Sequence, residues 1–171
     1  MKIMRQIQIE KLTLNFGAGK EPKELEKGIT LLKNITGINP VKTKTNKRIP
    51  TWGLRPGLPI GCKITLRGKQ AQELLKRLLA AKENILQDTN FDDYGNISFG
   101  IQEYIDIPDV KYDPKLGMTG LQASLTLERP GFRIKRRKIC KKKIPPKHKI
   151  TQGDAITFMQ EQFKLKMKEE E

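Results

Sequence analysis

Apolar positions along this chain follow two periods, and the switches between them mark out its elements. Over residues 6–15 apolar and polar side chains alternate at the two-residue period of a strand. The alternation changes phase midway: Ile7 and Ile9 share one parity, whereas Leu12, Leu14 and Phe16 share the other. A slip near Glu10 predicts a β-bulge, or else a strand buried on both faces in its middle. Gly17 and Gly19 end the strand. A helical period then runs over 22–36, with Leu25, Ile29, Leu32 and Ile35 as its apolar stripe. Pro22 suits the first turn and Gly37 the stop. Gly28, inside that helix, costs about 1 kcal/mol relative to Ala, which predicts close packing against a neighbour.

Residues 40–45 predict a short strand. The stretch 46–59 holds three prolines (Pro50, Pro56, Pro59) and two glycines (Gly53, Gly57), and so reads as a loop. A strand over 61–67 puts Cys62, Ile64 and Leu66 on one face and Lys63, Thr65 and Arg67 on the other. The clearest helix spans 69 to about 85, with Leu74, Leu75, Leu78, Leu79 and Ala81 forming a broad apolar face. Strand signals follow at 97–99 and 101–107, then a connection punctuated by Pro108, Pro114 and Gly117. Leu121, Ala123, Leu125 and Leu127 alternate with Gln122, Ser124, Thr126 and Glu128 in a half-buried antiparallel strand. Thr151 and Asp154 resemble a capping box, opening a last helix with a stripe of Ile156, Met159, Phe163 and Met167. An acidic tail ends the chain at 169–171. About five strands with helices in three places argue an α+β fold, a mostly antiparallel sheet with helices packed on one face. One domain over 1–171 is expected, with basic loops 44–59 and 129–151 as extensions.

Charge changes this picture more than composition does. The 171 residues carry 34 Lys or Arg against 19 Asp or Glu, a formal +15. From residue 27 to 72 there are ten basic residues and no acid, and from 129 to 153 eleven more, again without an acid. Between them, 73–128 carries ten acids and five bases. Solvated surfaces mix both signs, so single-sign blocks imply a polyanionic partner. Nucleic acid leads, because each neutralised phosphate releases a condensed counterion. No apolar run approaches the roughly 20 residues of a bilayer span, and the alternating start of the chain does not resemble a signal peptide. Neither a membrane nor a secretory route is expected. Cys62 and Cys140 are far apart and lack metal-ligand spacing, which fits two free thiols in a reducing cytoplasm.

Catalytic chemistry finds no constellation. The single histidine, His148, sits in a basic, proline-rich tract, where it suits a phosphate or base contact, or plain solvation, better than general-base work. Gly17 and Gly19 follow a strand, but the third glycine of a dinucleotide fingerprint would fall on Pro22. A phosphate-loop motif is missing, and Asp92 and Asp93 lack metal spacing. No enzyme, cofactor or metal is expected.

The two basic blocks invite different readings. Lys42, Lys44, Lys47 and Arg48 lead into the loop bearing Trp52, the only tryptophan. Trp52 either folds back on the core or, on a finger stiffened by proline, stacks on bases beside Arg55. The face carrying Lys63, Thr65 and Arg67 suits an RNA groove, which is read through phosphates and 2′-hydroxyls. The second block holds Arg133, Lys135, Arg136, Arg137, Lys138, Lys141, Lys142, Lys143, Lys147 and His148. A solvated loop or a localisation-like tract is possible there; an extension that orders only on RNA is favoured. Pro145-Pro146 argues against an amphipathic membrane helix.

The runs LTLNFGAG over 12–19, ITGINPVKTK over 35–44, LPIGCKITLRG over 58–68 and NISFGIQE over 96–103, with the stretch 109–113, resemble the universal large-subunit ribosomal protein L five family (L eleven in eukaryotes). The resemblance covers nearly the whole chain. A start directly at the first strand and the basic insertion 129–151 are similar to its archaeal and eukaryotic form. It implies an α+β fold whose sheet and loops hold 5S rRNA in the central protuberance, beside 23S rRNA and neighbouring 5S rRNA-binding ribosomal proteins, in cytoplasmic ribosomes. The family's RNA-facing positions fall on Asn15, Phe16 and Gly17, on Asn39, Pro40, Val41, Lys42 and Thr43, continuing to Lys44, and on Lys63 and Thr65, with Arg67 beside them. Its loop toward P-site tRNA matches 46–57, with Lys47, Arg48, Thr51, Trp52 and Arg55. Its bridge to a small-subunit head protein falls in the acidic middle or the C-terminal region. The insertion's partner stays open among tRNA, rRNA and the bridge protein. The rival is a non-specific RNA chaperone or DNA-compacting protein, which needs the cationic blocks but no ordered sheet motif.

Overall fold

The alternating N-terminal segment becomes the central strand of the sheet. In a computed structural model that describes residues 3–167, the elements run β1 (Gln8–Gly17), α1 (Pro22–Thr36), β2 (Val41–Lys44), β3 (Pro59–Leu66), α2 (Gly68–Ala80), β4 (Ile85–Leu86), β5 (Ile97–Ile101), β6 (Leu121–Glu128), α3 (Gln152–Phe163) and β7 (Lys166–Met167). The acidic tail at 169–171 lies outside the described residues. Five strands form one sheet in the order β2-β3-β1-β6-β5, antiparallel at every pairing. The phase slip in β1 is a β-bulge: Ile9 pairs with Leu127 and Lys11 with Thr126, leaving Glu10 as the extra residue. The bulge restores Ile9 and Leu12 to one face, as a two-residue period requires.

That inner face is apolar throughout. Leu12, Leu14, Cys62, Ile64, Ala123, Leu125, Ile97 and Phe99 are buried in one core cluster with residues from all three helices. Helix α1 contributes Leu25, Leu31, Leu32 and Ile35, α2 its leucines, and α3 Ala155 and Met159. Gly28 is where α1 meets the sheet, since a methyl group there would collide with the ring of Phe16. The capping box at the start of α3 forms as expected: Asp154 N–H donates to Thr151 Oγ1 (3.3 Å), and Thr151 N–H to Asp154 Oδ2 (3.1 Å).

Three boundaries differ from the sequence reading. The strand expected over 101–107 stops at Ile101 and turns into a 3-10 helix, Tyr104–Asp106. Ile101, Tyr104 and Ile107 are the buried residues, and a spacing of three fits a 3-10 turn rather than a strand. Helix α2 ends at Ala80 instead of near 85, because Glu83 and Asn84 take left-handed backbone (φ 55° and 57°) and turn the chain into β4. Helix α3 ends at Phe163, capped by Lys164 in left-handed backbone (φ 54°), so Met167 belongs to β7, which pairs in parallel with β4 rather than extending the helical stripe. Among the described residues no helix is long and apolar enough to cross a membrane.

Candidate nucleic-acid interface

The outer face of the sheet follows from the same alternation that buries the inner one. Asn15 lies between Lys63 on β3 and Gln122 on β6, while Val41 pairs with Lys63 and Gly100 with Gln122. These five residues form one row across all the strands. The next row runs Thr65, Thr13, Ser124, Ser98. Asn15 Nδ2 donates to Gln122 Oε1 (3.3 Å) and Ser98 Oγ to Ser124 Oγ (3.3 Å). A surface of short amides and hydroxyls, flanked by Lys63, is open enough for a polar partner to approach the backbone. Sequence reasoning found Asn15, Lys63 and Thr65 but missed Thr13, Ser98, Gln122 and Ser124. Their signal was present in the strand parity; only the strand order puts them in the same rows.

Phe16 differs from the rest of its segment. Its side chain is buried against Gly28, so its ring is not available to a partner.

The first basic block forms the edge of this surface. Asn39, Val41, Lys42 and Lys44 are exposed on or beside edge strand β2, with Pro40 and Thr43 half-buried. In the following loop Lys47, Arg48, Thr51, Trp52 and Arg55 are all exposed, Trp52 at 66%. The alternative of a core tryptophan is thereby ruled out. The loop is nevertheless held: Ile49 and Leu54 exchange backbone hydrogen bonds, Leu54 is buried, and the Thr45 hydroxyl donates to the Arg55 carbonyl (2.5 Å). A tied base presents an indole to solvent with little left to order on binding.

The second basic block packs against the body of the fold. Phe132 and Ile150 are buried at its two ends. Arg129 donates to the Lys149 carbonyl (3.0 Å) and to Asp154 (2.9 Å). His148 Nε2 lies 3.0 Å from the Pro130 carbonyl, and its ring meets Phe132 edge-on at 5.7 Å. Arg136 bridges the carboxylates of Glu10 and Glu128, the latter at 2.7 Å. Arg136 and His148 are therefore engaged internally, as is Arg67 more loosely, 3.9 Å from Glu10. The acidic partners of Arg136 and Arg67, Glu10 and Glu128, lie outside the acid-free blocks in sequence and reach them only through the fold. Lys135 stacks over Phe132 (4.9 Å) and Arg137 donates to the Cys140 carbonyl (2.9 Å). Arg133, Lys138, Lys141, Lys142, Lys143 and Lys147 are exposed and pair with no carboxylate among the described residues. No cluster of metal-ligating side chains occurs among those residues either.

Two family models cover this architecture: ribosomal protein L5 over residues 2–55, and the ribosomal L5 family C-terminus over 59–158. The chain belongs to the ribosomal protein L5 family. Relatives named large ribosomal subunit protein uL5 agree. The one from Nanoarchaeum equitans is 48% identical, covering 94% of this chain and 95% of the relative. Those from Sulfolobus acidocaldarius (44%; 95% and 92% covered) and Methanobrevibacter smithii (40%; 96% and 97%) match over similar lengths. Membership in this family makes the chain a structural ribosomal protein, not an enzyme, and places it with cytoplasmic ribosomes.

Proposed function

We propose that this chain holds 5S rRNA in the large ribosomal subunit through the polar outer face of its sheet. The observation that carries the reading is the row Lys63, Asn15, Gln122, a cation beside paired amides on an open strand face. Lys42, Lys44 and Lys63 neutralise phosphate, while Asn15, Thr13 and Thr65 offer short hydrogen bonds to ribose or base edges. The exposed cations of 129–151 extend the surface to 23S rRNA, and neighbouring 5S rRNA-binding proteins complete the particle. Trp52, with Lys47, Arg48 and Arg55, meets P-site tRNA. Exposed Tyr112 and Met118, in the acidic middle of the chain, supply the surface for a small-subunit head protein.

The test compares binding to 5S rRNA with binding to an unrelated folded RNA of equal length, across a salt series. A preference for 5S rRNA that persists at raised salt is expected. Equal binding that vanishes with salt for both RNAs supports the non-specific chaperone instead. Lys63→Glu should weaken 5S binding about tenfold or more, with a salt slope flatter by about 0.7 to 0.9 per lost phosphate contact.

A further inference from the structure

The free edge of β5 is covered along part of its length and bare at one residue. Asp92 N–H donates to the Asn96 carbonyl (2.9 Å) and Asn90 Nδ2 to that of Ser98 (3.0 Å), so residues 90–92 close the edge as far as Ser98. Alternate residues of an antiparallel strand turn their backbone groups the same way. Gly100 therefore directs its N–H and C=O away from β6, and neither is bonded to a side chain or a neighbouring loop among the described residues. The opposite edge, β2, carries exposed Lys42 and Lys44, a common protection of an open strand. Gly100 has no such guard. An added Cβ there meets nothing within 4 Å, and its backbone is not left-handed, so neither packing nor conformation demands the glycine.

A groove of about 290 Å³ lies along this edge, lined by Lys82, Ile85, Leu86, Asn90, Phe99 and Gly100, among others. Leu86 and Phe99 are buried in its floor, and Ile85 is exposed beside them. A larger depression of about 670 Å³ shares Lys82 and Gly100 and continues past Ile101 and Gln102. Neither is lined by a carboxylate, although the segment 73–128 carries ten acids to five bases. Lys82 is half-buried where the two meet and pairs with no carboxylate among the described residues. A bare donor and acceptor, an apolar floor and a lone cation thus share one open strand edge.

We propose that the edge of β5 at Gly100 binds an extended, acidic segment of a partner protein, which adds to the sheet as a sixth strand beyond β5. Its main chain exchanges hydrogen bonds with the N–H and C=O of Gly100, an apolar side chain lies against Ile85 and Leu86, and a carboxylate meets Lys82. In strand addition the main chain supplies affinity and the side-chain pockets supply specificity. A peptide backbone offers both a donor and an acceptor to Gly100, whereas a phosphate only accepts and leaves the Gly100 carbonyl unmatched. Lys82 without an opposing acid selects against a basic segment. Edge pairing lies in the plane of the sheet, while the row through Asn15 faces outward from it, so this site is separate from the RNA-facing surface.

The experiment titrates the full, nitrogen-15-labelled chain with an end-blocked heptapeptide of alternating Glu and Val, and with its Lys and Val counterpart. The acidic peptide should shift the amide resonances of Gly100 and Lys82, and the basic one should not. Gly100→Ala keeps the N–H and should bind as the parent does, whereas Gly100→Pro removes it and should bind about tenfold more weakly or worse. Lys82→Gln, which leaves the strand intact and so tests the site even if the proline variant does not fold, should bind about threefold more weakly. Parent affinity in both Gly100→Pro and Lys82→Gln overturns the proposal. So do shifts confined to 129–151, which would reduce the peptide to a counterion of the basic insertion. Displacement of the bound peptide by 5S rRNA overturns it too, since the edge would then belong to the RNA.

Discussion

Gly28 and Gly100 are both glycines inside regular elements, and they carry opposite meanings. Alanine ordinarily gains about 1 kcal/mol over glycine within a helix. At Gly28 the new methyl group would overlap the Phe16 ring, and overpacking of that kind costs about 1–3 kcal/mol. Gly28→Ala should therefore destabilise the chain by about 1–2 kcal/mol in urea unfolding despite the helix gain. Paired with Phe16→Leu, the loss should be smaller than the sum of the single losses, because the two side chains occupy the same space. The tight packing of Gly28 was legible in the sequence, because an interior helical glycine is costly and needs a reason. The freedom of Gly100 was not, since what surrounds a strand glycine depends on which strands flank it.

Among elements, the insertion 129–151 shows most clearly how the fold supplies partners that lie far apart in sequence. An acid-free stretch with eleven bases reads as unfolded until bound, because like charges repel and little of it is apolar. Glu10, the residue extruded by the bulge in β1, gives the segment an anchor in the fold. It is nearly buried and faces both Arg136 and Arg67, while Glu128 takes the other arm of Arg136. Glu10→Gln should cost about 1–3 kcal/mol, the range for losing a hydrogen bond to a charged group. It should also speed trypsin cleavage within 133–143 several-fold relative to the parent chain. Unchanged cleavage would mean that Phe132 and Ile150 alone hold the segment. The boundaries at 101–107 and after α2 were illegible for a related reason. Isoleucines at alternate positions satisfy the strand pattern, yet burial of Tyr104 and pairing of β4 with β7 depend on contacts across the chain.

Across the whole molecule the two thiols report on opposite environments. Cys62 is fully buried on β3 in the core, and burial pushes its thiol up to about 11 from the ordinary 9.0; Cys140 is exposed. At pH 8 an alkylating reagent should add one label to the native chain, at Cys140, and two after unfolding, as mass spectrometry would show. Because the folded pKa is raised, the unfolded chain releases this proton first. The contribution of Cys62 to stability is therefore intact below pH 9.0 and is lost as pH rises through about 11. Stability measured across that window should fall less steeply in Cys62→Ala than in the parent. The sequence by itself determined the α+β class, the phase slip near Glu10, the core faces of the strands and the location of positive charge, because each follows from local periodicity or from counting. It also carried the runs that resemble the L five family. Only the tertiary structure decided which cations stay free, since Glu10 and Glu128 reach Arg136 through space. The same is true of the polar rows and the groove at Lys82, which exist only once β1 lies between β3 and β6.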